Sequence, residues 1–139
     1  SILINKPDEY KPINVKTLVF PGFATDLGQP MSVLLTQANG TSIFEETIYE
    51  NRMGHIPYLN NMGADMAVND RTVIIKGYTK LTGKEVVATD LRAGAAMVIA
   101  GLVAEGTTRI NEIDHILRGY ENIVEKLTNV GARIEIEES

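Results

Sequence analysis

Two aspartates and three arginines have types and spacings that could do chemistry. Asp26 and Asp90 each sit in the tetrapeptide Ala-Thr-Asp-Leu, at residues 24–27 and again at 88–91. Arg92 follows the second aspartate by two residues, and Arg52 and Arg118 occupy matching later places in the chain. A guanidinium is a planar fork that grips phosphate or carboxylate through two parallel hydrogen bonds, so three of them suit a small polyanion. Carboxylates beside such a cluster can act as general bases. A plainer reading makes the aspartates helix caps and the arginines members of surface ion pairs worth roughly 0–1 kcal/mol each. Any one of these residues fits the plainer reading; the set, recurring in one order, argues against it.

The elements that must hold them follow from local patterning. Ala88 to Gly106 reads as a strand end, a capping Asp90, and a helix so apolar that both faces must be buried. Arg92 falls in the first turn of that helix, where the macrodipole is positive; backbone N–H groups and a guanidinium there make an anion site. Earlier in the chain, residues 1–12 are polar, contain Pro7 and Pro12, and form a lead-in without its own core. Ile13 to Phe20 is a strand ending at Pro21-Gly22, and Thr25 or Asp26 caps a helix to about Ala38. Thr41 to Tyr49 is a strand, His55 to Met62 a short helix with Pro57 in its first turn, and Ala64–Val68 with Thr72–Lys76 a hairpin. From Val86 the order begins again: strand, buried helix, a strand at Thr107–Ile113, a helix at Tyr120–Val130, and a strand at Arg133–Ile136.

The second half is an internal repeat of the first. Besides Ala-Thr-Asp-Leu, Asn39-Gly40-Thr41 corresponds to Glu105-Gly106-Thr107, Arg52 to Arg118, and Gly63-Ala64 to Gly131-Ala132, the offset drifting only from 64 to 68 residues. The unit is β-α-β-α-β-β, an α/β (α+β) class, running over residues 13–77 and again over 78–139 with its last strand missing. In this scheme Arg52 and Arg118 each stand just before a helix N-terminus.

Composition narrows the partners. The 139 residues carry 13 basic and 18 acidic side chains for a net charge of −5, which speaks against nucleic acid or an anionic membrane surface. Without cysteine there is no disulfide, thiolate nucleophile or thiolate metal site, and His55 and His115 lie outside any ligand spacing; no metal or cofactor is expected. The longest apolar run, Ala93 to Ala104, is too short to span a bilayer, and a cytoplasmic protein is the expectation.

Several stretches together carry a resemblance. Pro21-Gly-Phe-Ala-Thr-Asp-Leu-Gly-Gln-Pro30, Tyr49-Glu-Asn-Arg-Met-Gly-His55, Asn61-Met-Gly-Ala-Asp65, Ala88-Thr-Asp-Leu-Arg-Ala-Gly94 and Arg118-Gly-Tyr-Glu121 resemble, in order, the C-terminal part of the UDP-N-acetylglucosamine enolpyruvyl transferases. That resemblance implies two of the three β-α-β-α-β-β units in one domain of an inside-out barrel. It also implies transfer of enolpyruvyl from phosphoenolpyruvate to the 3′-hydroxyl of UDP-N-acetylglucosamine, the first committed step of bacterial peptidoglycan synthesis, by addition then elimination. On this resemblance Asp26 stands at the acceptor hydroxyl and Asp90 handles a proton. Arg92 and Arg118 bind phosphoenolpyruvate, Arg52 lines the cleft, and Ile48 and Glu50 lie against the nucleotide sugar.

The family's cysteine-bearing mobile loop and its N-terminal Lys-Asn pair belong to a domain absent from these residues. Leu117 stands where many members have an acidic residue. The expectation is therefore a fragment that is inactive alone and needs the missing N-terminal domain. Two alternatives stand beside it: a transferase like 5-enolpyruvylshikimate-3-phosphate synthase, which typically shows Glu-Ser-Asp-Arg where this chain has Glu50-Asn-Arg-Met53, and a binding module of the same fold without catalysis.

Overall fold

A computed structural model describes residues 1–19, 21–48 and 52–137. Its first half is a four-stranded sheet in the order β1-β2-β4-β3, formed by β1 (Asn14–Lys16), β2 (Thr41–Glu45), β3 (Asp65–Asn69) and β4 (Thr72–Lys76). β1 and β2 are parallel, joined by a crossover through α1 (Gly28–Thr36), whereas β4 runs antiparallel to both β2 and β3. Asp70, at φ 58°, turns the β3–β4 hairpin through the left-handed region that Asn and Asp tolerate best among side-chain-bearing residues. The helix α2 (Ile56–Asn61) begins with Pro57 in its first turn, where the missing N–H costs no hydrogen bond.

The second half repeats the parallel pair: β5 (Glu85–Val87) lies beside β6 (Arg109–Asn111), linked through α3 (Leu91–Val103). Two short helices follow, α4 (Asp114–Gly119) and α5 (Ile123–Asn129). The repetition extends to the caps. Gly40 and Gly106 follow α1 and α3 with φ of 140° and 80°, and Gly63 and Gly131 follow α2 and α5 with φ of 115° and 105°. After both later helices the next alanine N–H reaches back to a leucine carbonyl, Ala64 to Leu59 and Ala132 to Leu127, each at 3.0 Å, which is the six-to-one bond of a Schellman cap.

The core lies where α1 and α3 pack on each other and on the sheet: Val33, Leu35, Phe44, Leu59, Ile75, Ala96, Met97 and Ala100 are all buried. α3 is enclosed nearly all round from Ala93 to Ala100, as its apolarity requires, but Leu102 and Val103 at its end are about half exposed, at 45% and 47%. Small residues allow the close approach. A Cβ on Gly28 would come within 2.5 Å of the Phe44 ring, and one on Gly94 within 2.6 Å of Ile116.

Four sequence expectations are corrected. The first strand is shorter than 13–20, and Phe20 and Tyr49 lie outside the described residues. Asp26 does not cap a helix: residues Thr25–Leu27 form a 3-10 turn preceded by Ala24, and α1 starts only at Gly28, after Leu27. Arg118 lies not in a loop before a helix but in the last turn of α4, an element the pattern does not suggest, and the helix that follows starts at Ile123 rather than Tyr120. Finally, Arg133–Ile136 belongs to no strand. Its counterpart β3 is an edge strand that, among the described residues, pairs with β4.

Candidate functional site

The contact between α1 and α3 brings the two copies of Ala-Thr-Asp-Leu together. Asp26 Oδ1 lies 2.5 Å from Arg92 Nε and 3.8 Å from Arg52 Nη1, so one carboxylate faces guanidinium groups from both units. Its side chain is 65% exposed, against 34% for Arg92 and 16% for Arg52. The Asp26–Arg92 pair is open enough to solvent that it contributes little to stability. What the grouping offers is a carboxylate open to solvent, backed by two cations that a bound anion could engage.

Arg52 is held by a polar cluster on α1. Gln29 and Ser32 are one helical turn apart and present the same face. The Gln29 amide donates to the Arg52 carbonyl at 3.2 Å, and Ser32 Oγ lies 2.8 Å from His55 Nε2. Because the Ser32 hydroxyl already donates to the Gln29 carbonyl at 2.6 Å, it must accept from His55, which assigns the proton to Nε2. His55 is 2% exposed, and its Nδ1 has no hydrogen-bond partner among the described residues. Burial pushes the ring's pKa down to about 4, with the Asp90 carboxylate pulling part of the way back. His55 is thus a neutral group that ties the start of α2 to α1 through Ser32, rather than a titrating group near neutral pH.

Asp90 is an N-cap in fact as well as in pattern, accepting from the Ala93 N–H at 2.8 Å. Arg92 occupies the first turn of α3, as its position implies. Arg118 is exposed, with Nε 3.3 Å from the Asp114 carbonyl, and among the described residues no hydrogen bond or ion pair joins it to Asp26. Its neighbour Gly119 nevertheless packs on Leu91, between Asp90 and Arg92; a Cβ there would lie 2.2 Å from Leu91 Cδ1. Arg118 therefore flanks the same helix start without touching the cluster. Ile48 is half-buried at the exit of β2, and Glu50 lies outside the described residues.

The fold brings together Asp26, Arg52 and Arg92, which the sequence pattern points to. The Gln29–Ser32–His55 cluster and the buried Glu46 are not evident from that pattern. Glutamine and serine three apart on an otherwise apolar helix were the available signal, and a buried glutamate had none.

Paired parallel crossovers in a mixed α/β chain, with a carboxylate and arginines from both copies at their junction, define the class: this is the fold of enolpyruvyl transferases. The chain belongs to the EPSP synthase (3-phosphoshikimate 1-carboxyvinyltransferase) family, whose profile matches residues 1–127. It is 54% identical over 133 residues to UDP-N-acetylglucosamine 1-carboxyvinyltransferase 2 of Geobacillus kaustophilus, covering 96% of this chain and 31% of that protein. It is also 54% identical over 127 residues to UDP-N-acetylglucosamine 1-carboxyvinyltransferase of Halothermothrix orenii, covering 91% of this chain and 30% of that protein. Among solved structures, the enolpyruvyl transferase NikO from Streptomyces tendae is similar with a TM-score of 0.85 and 30% identity, over 93% of this chain and 30% of that one. EPSP synthase from Acinetobacter baumannii, at a TM-score of 0.63 and 20% identity over 81% of this chain and 27% of that one, shares the fold. The chain spans about a third of the length of the curated relatives it matches. Among the described residues no helix is long and apolar enough to cross a membrane.

Proposed function

We propose that this chain is part of a bacterial, cytoplasmic carboxyvinyl transferase. It would move the enolpyruvyl group of phosphoenolpyruvate to the 3′-hydroxyl of UDP-N-acetylglucosamine, the first committed step of peptidoglycan synthesis. The observation that carries the proposal is the solvent-open Asp26 carboxylate between Arg92 and Arg52, contributed by two repeat units. The names of the relatives at 54% identity support the acceptor. Residues 13–77 and 78–139 are the two units in this reading, and residues 1–12 lead into them.

The chemistry assigns each residue a task. Asp26 takes the proton of the sugar hydroxyl as its oxygen adds to C2 of phosphoenolpyruvate, while C3 receives a proton and becomes a methyl group. Loss of that C3 proton and of phosphate from C2 then restores the double bond. Asp90, at the repeat-related place, takes part in handling these protons. Arg92 and Arg118 hold the phosphate and carboxylate, where fixed cations stabilise a tetrahedral state that keeps several negative charges. Arg52 lines the cleft, and Ile48 and Glu50 lie against the nucleotide sugar. The remaining wall of the cleft comes from the N-terminal part of the relatives' length, needed to exclude water and complete the set.

Phosphate release from phosphoenolpyruvate tests the reading. The intact protein should release it when UDP-N-acetylglucosamine is supplied, and the 139 residues alone should not. Release with 3-phosphoshikimate in place of the nucleotide sugar would transfer the assignment to the activity for which the family profile is named.

A further inference from the structure

The turn that presents Asp26 is anchored by one buried carboxylate. Glu46, the residue after β2, is 1% exposed. Its Oε1 accepts from the Thr25 hydroxyl at 2.6 Å, and its Oε2 accepts from the Thr17 hydroxyl at 2.7 Å and the Ile48 N–H at 3.0 Å. Thr17 is itself locked in place: its hydroxyl oxygen accepts from the Thr47 N–H at 2.7 Å, and its carbonyl accepts from the Thr47 hydroxyl. Burying a carboxylate is strongly unfavourable unless donors replace its water, so these bonds are a condition of its presence.

The repeat provides the comparison. Ala88 takes the place of Thr17, its N–H bonded to the Asn111 carbonyl as that of Thr17 is to the Glu45 carbonyl. The residue in the place of Glu46 is Glu112, which is exposed and has φ 57°. A parallel crossover of this design therefore forms without a buried carboxylate. The difference tracks the two aspartates. Asp90 is aimed by its own bond to the Ala93 N–H, whereas Asp26 makes no cap bond and its turn is tied down next door, through Thr25.

We propose that Glu46 is a positioning residue for the transfer reaction: through Thr25 it fixes the turn that aims Asp26. This rests on the reading of Asp26 as the base. Glu46 acts through Thr25 rather than on substrate; it sets where the Asp26 carboxylate stands.

The test uses the intact protein and acceptor-dependent phosphate release. Thr25→Val removes the hydroxyl at nearly constant volume and takes one donor from a buried carboxylate, so Tm should fall; measured where the variant is fully folded, kcat should be lower about 10- to 100-fold, the scale of a misplaced reacting group, with KM for phosphoenolpyruvate unchanged. Thr25→Ser should restore kcat. Glu46→Gln, which must offer an amide N–H where a carboxylate oxygen stood, should lower kcat too, and the double variant should be no worse than the poorer single one. Unchanged kcat in Thr25→Val, losses that multiply in the double variant, or failure of serine to rescue would each overturn the proposal. Asp26→Asn separates the two levels. If it keeps turnover, the base reading falls and Glu46 falls with it; if it loses turnover while Thr25→Val does not, only the role of Glu46 falls.

Discussion

Asp26 Oδ1 and Arg92 Nε, 66 residues apart in sequence and from different copies of the repeat, lie 2.5 Å apart. The pair sits at the mouth of the junction between α1 and α3, with the carboxylate largely in solvent. Because Asp26 takes the Nε–H, a phosphate or carboxylate entering there would meet Arg92 through its remaining N–H donors and share the guanidinium with Asp26.

Arg92→Lys tests that relationship in the intact protein. Lysine keeps the charge but presents a point donor in place of the two-pronged fork, and a charge-assisted hydrogen bond contributes about 1.5–3 kcal/mol. Use of phosphoenolpyruvate should weaken on the order of 10- to 100-fold, while nucleotide-sugar binding changes little. Equal losses for both ligands would assign Arg92 to holding the two units together instead.

His55 should make stability depend on pH in a defined window. The unfolded imidazole takes up its proton near pH 6.5, whereas the buried ring resists until about pH 4. Between those values the unfolded chain binds more protons, so stability is complete above pH 6.5, falls as pH drops through the window, and levels off below it. The full loss is about 3 kcal/mol. Unfolding free energy measured against pH should show this slope in the protein and lose it in His55→Gln. A slope that survives the substitution would point to other groups.

How much of this was legible depends on how local each feature is. The repeat could be read because its punctuation is chemical: Gly40, Gly63, Gly106 and Gly131 all hold positive φ, which a side chain would resist. Asp90 could be read because an N-cap needs only its own turn. Asp26, in the same tetrapeptide, could not. A 3-10 turn intervenes before α1, and Thr25 in that turn bonds to Glu46, 21 residues away on the exit of a strand. The helix containing Arg118 was hidden for a related reason, since Glu112 breaks the strand with a left-handed residue that nothing in its type announces. Arg133–Ile136 has a strand's pattern but, among the described residues, no strand pairs with it, and a strand exists only through its partner.

The two aspartates, alike in sequence, should separate under the same pair of substitutions in the intact protein. Asparagine caps a helix about as well as aspartate, so Asp90→Asn should keep Tm, while Asp90→Ala removes the bond to the Ala93 N–H and should cost about 1 kcal/mol. Asp26 makes no cap bond, so neither Asp26→Asn nor Asp26→Ala should lower Tm appreciably. Turnover should behave differently. If Asp26 takes the acceptor proton, both Asp26 variants should lose a factor on the order of 10² to 10⁴, because neither side chain can accept it. Measuring rate and Tm together on all four variants gives the decision. A stable Asp26→Asn protein with near-normal turnover would remove Asp26 from catalysis.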